Sequence, residues 1–206
     1  MTVQVKICGI NDAVAFDTVV DAGADWVGFN FFPPSPRYVV PALAAELSAR
    51  HAGGPGRVGL FVDPTPDMIA ATLAAVSLDA LQLYGTLDLA MLRTSFGLPV
   101  WHAIGVATAA DLPGQTEADR LLIEAKPPPA ATRPGGNAVA FDWTILHGWT
   151  PPVPWTLAGG LTVANVREAI RVTGAAAVDV SSGVERTRGV KDPALIRAFI
   201  ANARSA

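Results

Sequence analysis

The chain has 206 residues, half of them hydrophobic, a formal net charge of −3 and one cysteine. That length and apolar content suit one large soluble domain, and no shift in composition divides it. The slight acidity, without a basic stripe, argues against nucleic-acid or anionic-membrane partners, and one cysteine rules out an internal disulfide framework, as expected of a cytoplasmic protein.

Met1-Thr2-Val3-Gln4-Val5-Lys6 already reads as a strand rather than as a charged segment followed by an apolar one, so no signal peptide is expected. No later apolar run is long enough to span a bilayer as a helix. Strands are predicted over 3–8, 26–31, 57–62, 80–83, 100–104, 121–125, 155–158 and 176–180. Helices fit between most of them. Phe16, Val19 and Val20 form an apolar stripe after the first strand. Thr65 reads as an N-cap with Pro66 at the first helical position, ahead of Ile69, Leu73 and Val76. Thr86 is predicted to begin a helix carrying Leu89, Leu92 and Phe96 and ending at Gly97. Residues 107–118 give only a weak, proline-broken helix, and 126–141 read as a long loop of the kind that is often functional. Thr162 is predicted to cap a helix with Val166 and Ile170 that stops near Gly174, and Asp192-Pro193 opens the last helix.

Strict alternation of strand and helix implies a parallel α/β fold. Eight strands point to a (β/α)8 TIM barrel, a single domain over 1–206. An open doubly wound sheet would place a glycine-rich phosphate loop after its first strand, whereas Lys6-Ile7-Cys8-Gly9-Ile10 carries one glycine.

The chemistry concentrates at predicted strand ends. Trp155-Thr156-Leu157-Ala158-Gly159-Gly160-Leu161 and Ala176-Ala177-Val178-Asp179-Val180-Ser181-Ser182-Gly183 each run from an apolar strand into small residues. Small residues let backbone N–H groups approach an anion, and helix N-termini add donors. Either segment alone is an ordinary turn; the pair, in the last two βα units, points to a phosphate. Gln4, Lys6 and Cys8 share one strand face and should point into the barrel, with Cys8 at its mouth and Lys6 about 7 Å below it. An ammonium there would favour the thiolate of Cys8, although a lone cysteine is also a small buried hydrophobe. Glu124 follows three apolar residues; it is either a general acid raised by burial or the partner of Lys6 or Lys126. Arg37, in Ser35-Pro36-Arg37-Tyr38, could clamp a carboxylate bidentately or be a solvated loop residue. His51, His102 and His147 show no ligand spacing, so no metal site is expected.

The ordered set of motifs resembles the phosphoribosylanthranilate isomerase family of tryptophan biosynthesis. It comprises Lys6-Ile7-Cys8-Gly9, Gly28-Phe29, Ser35-Pro36-Arg37-Tyr38, Gly59-Leu60-Phe61-Val62-Asp63 and Leu81-Gln82-Leu83-Tyr84-Gly85. Gly135-Gly136, Phe141-Asp142-Trp143, Leu157-Ala158-Gly159-Gly160-Leu161, Asp179-Val180-Ser181-Ser182-Gly183-Val184-Glu185 and Gly189-Val190-Lys191-Asp192 complete it. The resemblance implies a barrel without cofactor or metal. It implies an Amadori rearrangement of a small phosphosugar substrate, N-(5-phosphoribosyl)anthranilate, by a monomer or homodimer. It also implies that Cys8 is the general base and Glu124 the general acid, that Arg37 holds the anthranilate carboxylate, and that Asp179 lies near the sugar hydroxyls or the enolamine. The phosphate would rest near Gly136, Gly159, Gly160, Ser181 and Ser182. Glu124 stands where the family usually has aspartate, Tyr84 where histidine is commoner, and Asn137-Ala138 where Thr/Ser-Gly is frequent. Two other readings remain. One is a different phosphosugar aldose–ketose isomerase, which would typically use two carboxylates. The other is a catalytically impaired phosphometabolite-binding barrel, supported by the change at Glu124.

Overall fold

The computed structural model describes residues 2–127 and 141–206. Eight parallel strands close into a barrel in chain order. They are β1 (Gln4–Cys8), β2 (Trp26–Asn30), β3 (Gly56–Val62), β4 (Ala80–Tyr84), β5 (Val100–Val106), β6 (Arg120–Ala125), β7 (Trp155–Leu157) and β8 (Ala177–Val180). Closure comes from the pairing of β1 with β8, where Lys6 lies opposite Asp179 and Ile7 opposite Val180. All eight predicted strands are present, with ends differing by at most two residues. Around them stand α1 (Ala13–Asp21), α2 (Pro41–Ala49), α3 (Pro66–Leu73), α4 (Leu89–Phe96), α5 (Val166–Thr173) and α6 (Pro193–Arg204). No helix of the described residues is long and apolar enough to cross a membrane.

Among the described residues the helix ring is incomplete on one side. Between β5 and β6 the described chain makes only the 3-10 turn Ala109–Asp111, and before β7 only the 3-10 turn Trp143–Leu146. Pro113 interrupts the first of these crossovers, where a proline in a helix interior would cost a hydrogen bond and a clash. Trp149 helps close that flank, its indole N–H donating to the Pro113 carbonyl and its ring meeting Trp155 edge-on. Most of the loop expected over 126–141, including Gly135, Gly136, Asn137 and Ala138, lies outside the described residues.

Helix starts follow local hydrogen bonding. Thr65 caps α3 ahead of Pro66, as expected, and Asp192 caps α6 by accepting from the Ala194 and Leu195 N–H groups. Gly97 and Gly174 end α4 and α5 in the left-handed conformation. Two expected starts differ. Asp88, not Thr86, caps α4, because its carboxylate accepts from Met91 N–H. Thr162 does not open α5. The Asn165 amide accepts from Thr162 N–H and donates to the Gly160 carbonyl, holding 163–165 as a turn, so the helix begins at Val166.

Strand alternation sorts the side chains. Val5 and Ile7 face the helices in the main apolar core with Phe16, Val19 and Phe199, while Lys6 and Cys8 point inward. One end of the barrel interior is filled by Trp26 and Trp101, packed edge to face, with the Arg120 guanidinium stacked 4.8 and 5.0 Å from their rings. Toward the other end the interior narrows to Cys8, Leu60, Tyr84, Ala103, Leu122 and Ala158. Lys6, Gln82 and Thr156, each two residues below one of these, are completely buried polar side chains. Among the described residues the interior is therefore a packed core, with a cleft at its C-terminal mouth.

Candidate active site

A cleft opens at this mouth. Cys8, Arg37, Glu124, Asp179, Ser181, Ser182, Gly159 and Gly160 all line it, so the described residues expected to act together do converge. Asn30, Phe32, Ser35, Leu60, Val62, Tyr84, Ala158, Leu161 and Val180 complete its wall. Gly136 lies outside the described residues.

Cys8 sits at the end of β1 and is 5% exposed. Lys6 Nζ, wholly buried, donates to Asp179 Oδ1 at 2.9 Å across the β1–β8 seam. Gly28 on β2 makes room for both. A Cβ there would stand 2.9 Å from Cys8 Sγ, 3.1 Å from Cys8 Cα and 3.2 Å from Lys6 Nζ. Substituting Gly28→Ala is expected to displace the thiol. If Cys8 acts on substrate, activity should fall by about 10²-fold while the fold persists, since a misplacement of about 1 Å costs that much. Steady-state kinetics beside a thermal melt checks this; wild-type activity in a folded variant would show that Cys8 need not sit where it does.

The ionisation of Cys8 differs from expectation. Burial pushes the thiol above its ordinary value, and Asp179 pushes the same way; Lys6 and Lys191 pull it down without offsetting that rise. The nearby ammonium thus moderates the thiol but does not leave a standing thiolate, because loss of water around the sulfur outweighs one ion-paired lysine. Burial likewise disfavours charge on Lys6, but Asp179 and then Cys8 reverse it, so the ammonium is held above its ordinary range.

Glu124, at the end of β6, is buried at the wall. The two lysines weighed as its partners have acidic partners elsewhere: Lys6 pairs with Asp179, and the more exposed Lys126 with Asp111 at 3.3 Å. Gly159, at a positive φ of 79°, lets the β7 loop pass beside it, where a Cβ would come 3.1 Å from Glu124 Cβ and 2.8 Å from Ala125 N. Tyr84 faces this corner. Its hydroxyl is 3.3 Å from Gln82 Nε2. Burial, then the charge of Glu124, holds it well above the ordinary phenol range, so it is a neutral hydrogen-bonding group.

Arg37 is buried, not solvated. Ser35 Oγ accepts from its backbone N–H at 3.1 Å and from Asn30 Nδ2 at 3.2 Å, which fixes the loop after β2. Its Nε and Nη2 donate to the two carboxylate oxygens of Glu185 at 2.6 and 3.0 Å. Among the described residues Nη1 has no hydrogen-bond partner, and Arg37 lines the cleft. Glu185 starts β9 (Glu185–Thr187), which pairs antiparallel with β10 (Val190–Lys191) in a small hairpin that the sequence reading did not anticipate. Gly189, at φ 85°, makes the turn. Burial would raise the Glu185 carboxyl, but Arg37, Lys191 and the Gly189 N–H bring it down to about 2.

The phosphate expectation is refined. Ser181 Oγ donates to the Cys8 carbonyl at 3.0 Å and accepts from Lys191 Nζ at 3.2 Å, so its proton is used within the protein. Of the two serine hydroxyls, that of Ser182 is the one left to donate. Ser182, which lines the cleft, begins the 3-10 turn Ser182–Val184. Gly183 packs so closely on the Leu161 carbonyl that no side chain would fit, which brings the two small-residue loops together. Lys191 and Glu185 were missed as site residues, though both lie inside motifs quoted above. The signal available in sequence was an acid and a base, Glu185 and Lys191, on either side of Gly189.

Comparison with known proteins accords with this geometry. The family described as N-(5'-phosphoribosyl)anthranilate (PRA) isomerase matches residues 5–202. The N-(5'-phosphoribosyl)anthranilate isomerase of Paramagnetospirillum magneticum is 54% identical, covering 99% of this chain and 98% of that protein. That of Acidiphilium cryptum is also 54% identical, over 98% of this chain and 99% of that one. Among solved structures, phosphoribosyl anthranilate isomerase from Thermotoga maritima aligns with a TM-score of 0.85 at 35% identity, covering 99% of this chain and all of that one. A phosphoribosyl anthranilate isomerase in complex with reduced 1-(o-carboxyphenylamino)-1-deoxyribulose 5-phosphate aligns at 0.83 and 34%, with the same coverage. With the barrel, the strand-end residues and a family match spanning nearly every residue in agreement, the chain belongs to the N-(5'-phosphoribosyl)anthranilate isomerase family.

Proposed function

We propose that Cys8 and Glu124 are the base and acid with which this chain carries out its family's reaction, the isomerisation of N-(5-phosphoribosyl)anthranilate in tryptophan biosynthesis. The substrate is an aminofuranose. Protonating its ring oxygen lets the C1–O bond break, and the nitrogen lone pair forms a C1=N iminium. The iminium acidifies the C2–H bond. Removal of that proton gives an enolamine, which tautomerises to the 1-deoxyribulose product. Glu124 delivers the first proton and Cys8 removes the second. One proton passes from Glu124 to the substrate and one from C2 to the Cys8 thiolate, no electrons are gained or lost, and exchange with solvent returns both groups to their starting forms.

The observation that carries this reading is the convergence of Cys8, Glu124, Arg37 and the two small-residue loops on one cleft. The base is the Cys8 thiolate, formed when the thiol gives its proton to solvent; burial keeps it a minority form at neutral pH, and the iminium cation beside it favours it. Asp179, fixed by Lys6, stands near the sugar hydroxyls or the enolamine. Gly159, Gly160, Ser182 and the backbone at Ser181 take the phosphate. The Nη1–Nη2 edge of Arg37 takes the anthranilate carboxylate.

Arg37→Met tests the carboxylate assignment. Ligands bearing the anthranilate carboxylate should weaken by about 2–5 kcal/mol, as for truncation of one partner of a buried charge pair. Inorganic phosphate should bind nearly as before. Calorimetry on both ligands reads the difference, and equal losses would place Arg37 on the phosphate or in the fold.

A further inference from the structure

The Lys191 ammonium is wholly buried, yet no step of the reaction uses it. Its hydrogen bonds run to the Ser181 carbonyl at 2.9 Å, to Ser181 Oγ at 3.2 Å and to Glu185 Oε1 at 2.9 Å. From Ser181 Oγ the chain of bonds continues to the Cys8 carbonyl, and from Glu185 to the Arg37 guanidinium. One lysine therefore joins the end of β1, the loop after β8 and the loop after β2, segments far apart in sequence.

We propose that Lys191 is a positioning residue for this reaction: through Ser181 it holds the Cys8 end of β1, and through Glu185 it aims Arg37, setting the distance between base and carboxylate clamp. The proposal rests on the roles given above to Cys8 and Arg37. The geometry favours it over a purely structural part. A lysine that only filled space would not need bonds to both Ser181, which holds the Cys8 carbonyl, and Glu185, which holds Arg37, and burying an ammonium is unfavourable without such partners. Desolvation does lower Lys191 from its ordinary range, against the pull of Glu185. The groups that bear on Cys8 electrostatically are Lys6 on β1, Tyr84 on β4, Asp179 on β8 and Lys191 on β10, and Lys191 is among those that draw the thiol toward ionisation. Positioning and a small electrostatic assistance thus come from one side chain.

Lys191→Met keeps length and removes the charge. With a near-UV circular dichroism spectrum and thermal melt showing a folded protein, kcat/KM should fall by about 10²-fold, with KM raised and kcat lowered together. The pH midpoint for alkylation of Cys8 by iodoacetamide should move upward, which a purely structural role would not produce. Glu185→Gln weakens the links to Arg37 and Lys191 but leaves the bonds from Lys191 to Ser181, and should raise KM about tenfold or more while kcat changes far less. Wild-type kinetics in a folded Lys191→Met variant, or an unmoved alkylation midpoint, would overturn the proposal. Should Lys191→Met fail to fold, Glu185→Gln decides alone, and an unchanged KM there is the contrary result. If Cys8→Ala proved fully active, the base assignment would fall, while the alkylation midpoint would still report on Lys191.

Discussion

Cys8→Ala is expected to abolish turnover while leaving the affinity for a reduced product analogue nearly intact. The substitution removes a proton-transfer group that makes no binding contact in the proposed mechanism, and general-base catalysis contributes about 10²–10⁴-fold. The side chain lost is small, and Ser181 holds the Cys8 carbonyl rather than its sulfur, so the β1 end should keep its place. Because burial keeps the free thiol above its ordinary value, wild-type kcat/KM should climb as pH rises past neutrality. Residual activity in Cys8→Ala should lack that climb. Iodoacetamide should inactivate the wild type, with bound product analogue protecting it. Parallel loss of binding and rate in Cys8→Ala would make the residue structural, and full activity after verified alkylation would remove it from the mechanism.

The second large effect is expected at Glu124. Glu124→Gln keeps size and polarity but cannot deliver a proton, so kcat should fall by about 10²–10⁴-fold with KM changed little. Glu124→Asp keeps the acid and shortens its reach by one methylene. It should retain far more activity than the glutamine variant, and comparing the two separates loss of the proton from loss of position. A Gln variant as active as wild type would move the acid elsewhere. Asp179 would then be the next carboxylate to examine, although its Oδ1 is occupied by Lys6.

The barrel was legible because its signal is local. Short apolar runs such as Leu121-Leu122-Ile123 and small residues after them recur at regular spacing, and all eight appear as strands. Strand alternation also placed Lys6 and Cys8 inside and Val5 and Ile7 outside. Helix starts were less legible, since several residues near each start can cap. Asp88 displaces Thr86 by bonding Met91 N–H, and Asn165 converts an expected helical turn at Thr162 into a loop tied to Gly160. The helix α2 carried no strong amphipathic pattern, because its alanines bury little side chain and only Ala44 and Leu47 are buried.

At the site, residue types were readable and their partners were not. Arg37 and Glu185 are separated by 148 residues, so nothing in the local pattern announces the ion pair that holds the guanidinium. The same holds for Lys6 and Asp179, brought together only when β1 closes against β8. The sign of the Cys8 shift also depended on folding. Sequence shows a lysine two residues away, whereas the loss of solvent that outweighs it exists only in the closed barrel. Ser181 and Ser182 were alike in sequence as hydroxyls able to assist a phosphate, and only the fold has Ser181 Oγ donating to the Cys8 carbonyl.

The most direct test of the whole account is the loss of anthranilate-type fluorescence when the purified chain meets freshly made N-(5-phosphoribosyl)anthranilate, run beside the folded Cys8→Ala/Glu124→Gln double variant. The account predicts a saturable fluorescence decay with wild type and only the spontaneous rate with the double variant. A folded wild type that leaves the spontaneous rate unchanged, or a double variant that matches the wild type, would contradict it.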